Sequence, residues 1–437
     1  MIFNSRAIFC IFFDLNLGHY YWVGMKWLFT QSLSLLLLFV VPALFAADDL
    51  AALRARAETG DANAQFTLGV VYGKGRGVTK DSVEAANWFR KAAEQNHAEA
   101  QHNLGSMYTK GDGVALDLVQ AVKWYRLAAD QGLAASQCQL GVAYARGEGV
   151  TQDPVESVKW FRKAATHAYP EAQYSLGLIY FGKLSVKGMG KDPVEAVKWV
   201  RKAADQDHAE AQYCLGAMYA NGEGVSQDYV EAAEWYRKSA EQGDAKAQYE
   251  LAWAYRTGKG VPEDFVEAFN WCHKAAAQGH TDAQGQLGLA YLLGKGVSKD
   301  PVEAVKWFHK AAEQETPIAQ YLLALMYGRG EGVAKDAEQA MKWLRKSAEN
   351  GNADAQFTLG TMYESGAYVA KDETEALAWY NLGASSGAKN AQQFWDKLEA
   401  RSSADLVKAA QQRSKDLGKQ IEANKAKCAE EAKLRLN

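Results

Sequence analysis

The chain predicts an all-α fold, an α/α solenoid of stacked helix pairs. Two spacings carry this prediction. Nine tryptophans (Trp88, Trp124, Trp160, Trp199, Trp235, Trp271, Trp307, Trp343 and Trp379) each lie seven residues after an aspartate, and successive ones are 36 residues apart except for one gap of 39. A tyrosine precedes the tryptophan by sixteen residues in eight cases and by nineteen in the other. A period in this range marks an array of supersecondary units rather than one globular domain. It argues against most enzyme architectures and makes binding the leading question.

The N-terminal elements come first. Residues 1–24 fit no signal pattern, and translation is expected to start at Met25. Residues 25–47 read as a signal peptide. Met25-Lys26 is a charged start, Leu33–Val41 is apolar but for Ser34, and Ala43, Ala46 and Ala47 make a small-residue end. Cleavage is expected after Ala46 or Ala47, although Leu44 or Phe45 at the −3 position makes the site imperfect. An uncleaved anchor is the alternative, but the stretch is short for a membrane span. The expected location is periplasmic or secreted, with no stable membrane insertion after cleavage. Residues 48–60 contain LAALRARAETG, which matches the end of a unit's second helix and is expected to cap the array.

The repeats fill 61–387, with Asp61 as position 1. The nine copies are 61–96, 97–132, 133–168, 169–207, 208–243, 244–279, 280–315, 316–351 and 352–387. Position 5 is always glutamine, position 8 leucine and position 12 tyrosine. Helix A is expected over positions 2–14. At about 100° per residue, positions 4, 8, 11 and 12 share one face. It stops at Gly-x-Gly-Val, where a glycine can close the last turn in the left-handed conformation. Helix B starts at the position-21 aspartate, whose carboxylate accepts from first-turn amides. Three copies continue Asp-Pro-Val-Glu, with proline at the first helical position and glutamate in a capping box. In copy one, Ala85, Trp88, Ala92 and Ala93 form one broad helix-B face, on which tryptophan fills the gap between units. The recurrent residues are therefore core. The Gly-x-Gly is no phosphate loop, because no strand precedes it and it ends a helix. Residues 388–437 are expected to give a C-terminal cap, with Phe394, Trp395 and Leu398 covering the last unit. A polar Lys- and Glu-rich helical tail, interrupted at Gly418, follows.

The pattern A-x-A-Q-x-x-L-G-x-x-Y…G-x-G-V…D…A…W-x-x-K-A-A-x-Q-G resembles the Sel1-like repeat, a relative of the tetratricopeptide repeats. The resemblance covers about three quarters of the chain. It implies a right-handed α/α solenoid of about nine helix pairs with helical caps. It also implies an adaptor or scaffold role, in bacteria often in the envelope or in signalling. It transfers no catalytic position. There are departures: three extra residues in copy four between Tyr180 and Asp192, Ala252 and Ala324 where other copies have glycine, and Gly366-Ala367-Tyr368 in place of Gly-x-Gly.

Composition narrows the function further. Net charge is −3 with acids and bases intermixed, so no basic stripe points to nucleic acid. The five cysteines share no repeat position and make no disulfide framework, unlike a cysteine-rich branch of the family linked with penicillin binding. His273 and His309, at position 30, are expected on the outer side of helix B. No HExxH, Ser-x-x-Lys or GxSxG motif is present. No catalytic residue, cofactor or metal is expected.

The chain therefore reads as an exported scaffold that binds a protein or peptide partner on the concave helix-A face. The alternatives are an envelope enzyme acting on peptidoglycan or β-lactams and a secreted host-interacting factor. Oligomeric state stays open. Specificity must come from positions that vary between copies. The candidates are the position-6 aromatics Tyr174, Tyr213, Tyr249 and Tyr321, together with Trp253 and Arg256. Tyr249, Trp253 and Arg256 lie at i, i+4 and i+7 on one stripe, and these residue types are enriched at binding hot spots. The competing reading of position 6 is packing against the neighbouring helix A. Truncating Tyr249 and Trp253 together is expected to change melting little.

Overall fold

The computed structural model describes residues 47–182 and 190–435. Residues 1–46, which carry nearly all of the candidate signal segment, lie outside these, as does most of the lengthened copy-four turn (183–189). Among the described residues there are 21 helices and no strand, so the chain is an all-α array of helix pairs. The chain divides into two compact units within one helix, between Ser175 and Leu176.

The first unit opens with α1 (Ala47–Glu58). Copies one to three follow as α2 (Ala62–Lys74) with α3 (Ser82–Glu94), α4 (Ala98–Lys110) with α5 (Leu118–Asp130), and α6 (Ala134–Arg146) with α7 (Pro154–Thr166), and then α8 (Pro170–Phe181) begins. The second unit takes the rest of α8 and continues with α9 (Pro193–Ala204). Its later pairs are α10 (Ala209–Asn221) with α11 (Tyr229–Glu241), α12 (Ala245–Thr257) with α13 (Phe265–Ala277), α14 (Thr281–Leu293) with α15 (Pro301–Glu313), α16 (Pro317–Arg329) with α17 (Ala337–Glu349), and α18 (Ala353–Ser365) with α19 (Glu373–Ser385). It closes with α20 (Ala391–Glu399) and α21 (Ala404–Arg435). From α1 to α7, and again from α9 to α20, each helix packs on the next in chain order.

Local chemistry sets the helix ends. Each position-21 aspartate accepts from first-turn amides, as Asp264 does from Val266 and Glu267 at 2.8 and 3.0 Å. Helix A ends on a glycine with positive φ, such as Gly258 at 68°. The second glycine has a different reason. A Cβ at Gly260 would lie 1.8 Å from the Tyr229 carbonyl oxygen, so here the backbones of adjacent copies touch. Position 1 also caps. The Nδ1 atoms of His97, His208 and His280 accept from Ala100, Ala211 and Ala283, as Asp61 and Asn352 do with oxygen in their copies.

The invariant glutamine is a buried staple between copies. Its Nε2 donates to the carbonyl eight residues earlier, as Gln248 does to Ala240 at 3.1 Å. In copies one, two, five, six and seven its Oε1 accepts from a position-35 glutamine, as Gln248 does from Gln278 at 2.9 Å, and Asn350 takes that role for Gln320. Two buried glutamine oxygens, of Gln137 and Gln356, have no partner, and in those copies position 35 is His167 and Ser386. Seven of the nine position-28 tryptophans are buried and Trp124 and Trp199 half-buried, as expected of core. The position-30 expectation needs correction. Position 30 reaches across to the next copy's position-12 tyrosine. Arg237 donates to the Tyr255 hydroxyl at 2.7 Å, and His309 bonds the Tyr327 hydroxyl at 2.9 Å with its ring edge against Trp343. His309 is therefore half-buried between copies, and His273, though exposed, lies edge-on to Trp307.

The two alanine departures have a packing cause. At position 9, a Cβ on Gly69, Gly105, Gly141, Gly216, Gly288 or Gly360 would come within 2.8 Å of the position-29 ring of Phe89, Tyr125, Phe161, Tyr236, Phe308 or Tyr380. Ala252 and Ala324 occur where position 29 is Cys272 and Leu344, without a ring. At the C-terminus, α21 runs unbroken through Gly418, which corrects the expected interruption. It packs on α17 and α19, burying Ala410, Leu417 and Ile421, and Arg413 pairs with Glu375 at 2.6 Å. Tertiary burial outweighs the roughly 1 kcal/mol helix cost of one glycine.

Candidate functional site

The structure brings together three of the six candidate residues. Tyr249, Trp253 and Arg256 line one pocket of about 340 Å³, with walls from α12, α13 and α14. This lies within the range of small ligand or side-chain sites. Tyr174 lies half-buried in α8, outside this pocket. Tyr213 is half-buried against the Tyr236 ring, with centroids 5.9 Å apart. Tyr321 is half-buried and its hydroxyl lies 3.4 Å from Thr358 Oγ1 of the next copy. Position 6 thus packs against neighbouring side chains, within its own copy at Tyr213 and across to the next at Tyr321. Phe66 and Tyr249 stack on the capping His97 and His280 at 4.7 and 4.8 Å, and Phe357 meets Phe394 edge-on. Tyr249 itself packs against the core of copies five to seven. It is structural as well as pocket-lining, so the expectation of unchanged melting is corrected.

The pocket opens where a ring of the repeat is missing. Position 29 of copy six is Cys272, not an aromatic, and Cys272 lines the pocket. Ala252, Phe265, Ala268, Phe269, Leu289, Ala290 and Leu293 supply apolar walls. Leu293 is 61% exposed at the rim. Sequence reading found the tryptophan because no other copy has one at position 10. It missed the hole because a cavity follows from how side chains on three separate helices pack, which one substituted ring does not reveal.

The rim carries cations. Arg256 and Lys295 line the pocket, with Glu263 the one carboxylate among the lining residues. The Lys259 ammonium lies over the Trp253 and Tyr229 rings at 4.9 and 5.0 Å, and that of Lys295 over Phe265 at 5.1 Å. Among the described residues, none of Arg256, Lys259 and Lys295 takes part in an ion pair. Deeper in, Cys272 donates its thiol to the Ala283 carbonyl at 3.2 Å. Burial pushes that thiol up to about 12, with Arg256 opposing slightly, so at neutral pH it is protonated and a poor nucleophile. Burial raises the Tyr249 phenol, with Asp282 and Glu250 adding. Burial and then Asp282 also raise Glu250.

One histidine–serine contact has nucleophile–base geometry, in the first unit. His102 Nδ1 lies 2.9 Å from Ser136 Oγ, but Ser136 is wholly buried, and burial lowers the His102 pKa. Attack needs an approach path for substrate, and a fully buried hydroxyl offers none. No helix among the described residues is long and apolar enough to cross a membrane.

The repeat geometry has counterparts among known proteins. The Sel1 repeat family matches nine consecutive segments, 62–97, 98–133, 134–169, 170–208, 209–244, 245–280, 281–315, 317–352 and 353–387. A solved protective antigen of uropathogenic Escherichia coli strains, displaying an SLR fold, is 32% identical. That match covers 85% of this chain and 87% of the antigen, with a TM-score of 0.53. A Sel1 repeat protein from Oxalobacter formigenes is 36% identical over 71% of this chain and 89% of its own, with a TM-score of 0.52. Comparison with curated proteins gave no match. The chain belongs to the Sel1 repeat family, whose members generally mediate protein–protein interaction and are typically non-enzymatic scaffolds.

Proposed function

We propose that this protein is an exported scaffold that binds a protein or peptide partner on its helix-A face, with the α12–α14 pocket as the anchoring site. One observation carries the reading. The array is repetitive everywhere that packing demands it. It departs from the repeat at Ala252, Trp253 and Cys272 together, and there it leaves an apolar hole with an exposed leucine at its rim. A buried aromatic or aliphatic anchor in such a hole is how binding energy concentrates at interfaces. The test is a pocket-filling variant. Ala252→Gly with Cys272→Phe recreates the glycine–phenylalanine pair of three other copies and so preserves the fold while closing the hole. Random twelve-residue peptides displayed on phage and selected on the intact protein should bind the parent and lose binding to this variant. Peptides that bind both equally well would place the interaction elsewhere.

Export is the second part of the proposal and rests on residues 25–47. The mature chain is expected to begin at Ala47 or Asp48, as read by N-terminal sequencing of the fractionated protein. A product retaining Met25 would mean an anchored form. Accumulation in the medium rather than the periplasm would favour a secreted factor, a reading in keeping with the relative described as a protective antigen.

A further inference from the structure

We infer that the segment recognised at the α12–α14 pocket is an acidic one: a bulky apolar side chain flanked by aspartate or glutamate residues in a protein chain. The inference rests on the pocket being the binding site and adds the chemistry of its occupant.

The apolar half of the argument is the hole itself. Its walls are alanine, leucine, phenylalanine and the protonated Cys272 thiol, and its volume of about 340 Å³ accommodates a large side chain. The lining also includes a tryptophan that no other copy has at its position and a leucine left 61% exposed. Burying these two together on a partner's side chain removes apolar surface from water, which is favourable in proportion to area.

The acidic half is the charge at the rim. The chain as a whole is net −3, so a local excess of cations runs against its composition. Arg256 and Lys295 line the pocket against the single carboxylate of Glu263, and Lys259 adds a third cation 4.9 Å from the Trp253 ring centroid. Elsewhere some exposed cations do find carboxylates, as Lys306 does with Glu303 and Lys299 with Glu331. Arg256, Lys259 and Lys295 have none, and both lysines instead lie over aromatic rings. An ammonium over a ring keeps donors free for a further acceptor, and a guanidinium can grip a carboxylate with two parallel bonds. A basic segment would place like charges together and be repelled. Steering by the unpaired cations further predicts that association slows as salt is raised.

The experiment uses the full chain and two amidated, fluorescein-labelled peptides in anisotropy titrations, Gly-Ser-Asp-Glu-Phe-Asp-Glu-Gly-Ser and Gly-Ser-Lys-Lys-Phe-Lys-Lys-Gly-Ser. The acidic peptide is expected to bind the parent at least about tenfold more tightly than the basic one, roughly the difference that one good charge-assisted contact makes. Arg256→Glu with Lys295→Glu should reverse the order, and Ala252→Gly with Cys272→Phe should remove binding of both. The inference is overturned if the basic peptide binds as well as the acidic one. It is also overturned if charge reversal leaves the preference unchanged, or if neither peptide binds. The phage selection separates the two claims. Selected peptides that are neutral or basic, yet lose binding when the pocket is filled, overturn the acidic partner and leave the pocket standing. Selected peptides indifferent to pocket filling overturn both.

Discussion

A single methyl group decides which ring each copy can hold. Gly288 lies so close beneath Phe308 that a Cβ would come within 2.7 Å of the ring. Gly288→Ala is therefore expected to cost about 1–3 kcal/mol as overpacking. Combining it with Phe308→Leu, as Ala324 with Leu344 already does, should restore part of that loss. Chemical denaturation of both single variants and the double gives the coupling, and strict additivity would sink the idea. A second residue-scale prediction concerns His280, whose Nδ1 caps α14 and whose ring stacks on Tyr249. Its pKa lies below 6.5, first because of burial and with Lys246 adding, while Asp282 and Asp244 oppose. A depressed folded value means that the unfolded chain binds the proton more tightly. Stability is then complete above the unfolded value and lost as pH falls through the folded one. His102 and His309 are depressed in the same direction by burial. His280→Asn keeps a capping acceptor, as Asn352 shows at 2.8 Å, and removes the proton. The variant should lose less stability than the parent between about pH 7.5 and about pH 5.5, measured by urea midpoints.

At the scale of the helix pair, polar staples and turn geometry set the register. Gln137 Oε1 is buried without a donor because position 35 of its copy is His167. His167→Gln supplies the donor that Gln95, Gln131, Gln242, Gln278 and Gln314 give elsewhere. The expected gain is about 0.5–1.5 kcal/mol, seen as a higher melting temperature. The turn after α18 offers a second case. Tyr368 stands at φ 63° where other copies have the second glycine, and it is 55% exposed. A non-glycine residue held left-handed costs roughly 1–2 kcal/mol. Tyr368→Gly should recover much of this, and a fall in melting temperature would show that the tyrosine makes a compensating contact.

At the scale of the molecule, stability is a chain of neighbour interactions. Trp235 is 6% exposed, with the Lys238 ammonium 3.8 Å from its ring centroid. Trp235→Ala is expected to cost about 3–5 kcal/mol through lost burial and a residual cavity. Because helices pack on their chain neighbours, damage at one central copy should uncouple the flanking segments. Calorimetry should resolve two transitions where the parent shows one. A loss below about 1 kcal/mol would mean that the tryptophan contributes little to the core.

The sequence by itself determined the fold class, the period, the capping aspartates and the buried tryptophans. Each of these is a local rule repeated nine times, and repetition makes a weak signal unmistakable. It also marked Tyr249, Trp253 and Arg256, because a residue that breaks a repeat is visible without coordinates. Other features depend on residues that meet only when successive copies stack. The second glycine clears a carbonyl of the preceding copy, Gln248 bridges α11 and α13, and His309 reaches the tyrosine of the next copy. A helical wheel places such side chains at the edge of a face, and only the neighbouring helix decides whether that edge is solvent or core. The pocket is the extreme case. It is space left where Cys272 replaces a ring, and empty volume is fixed by the packing of three helices at once.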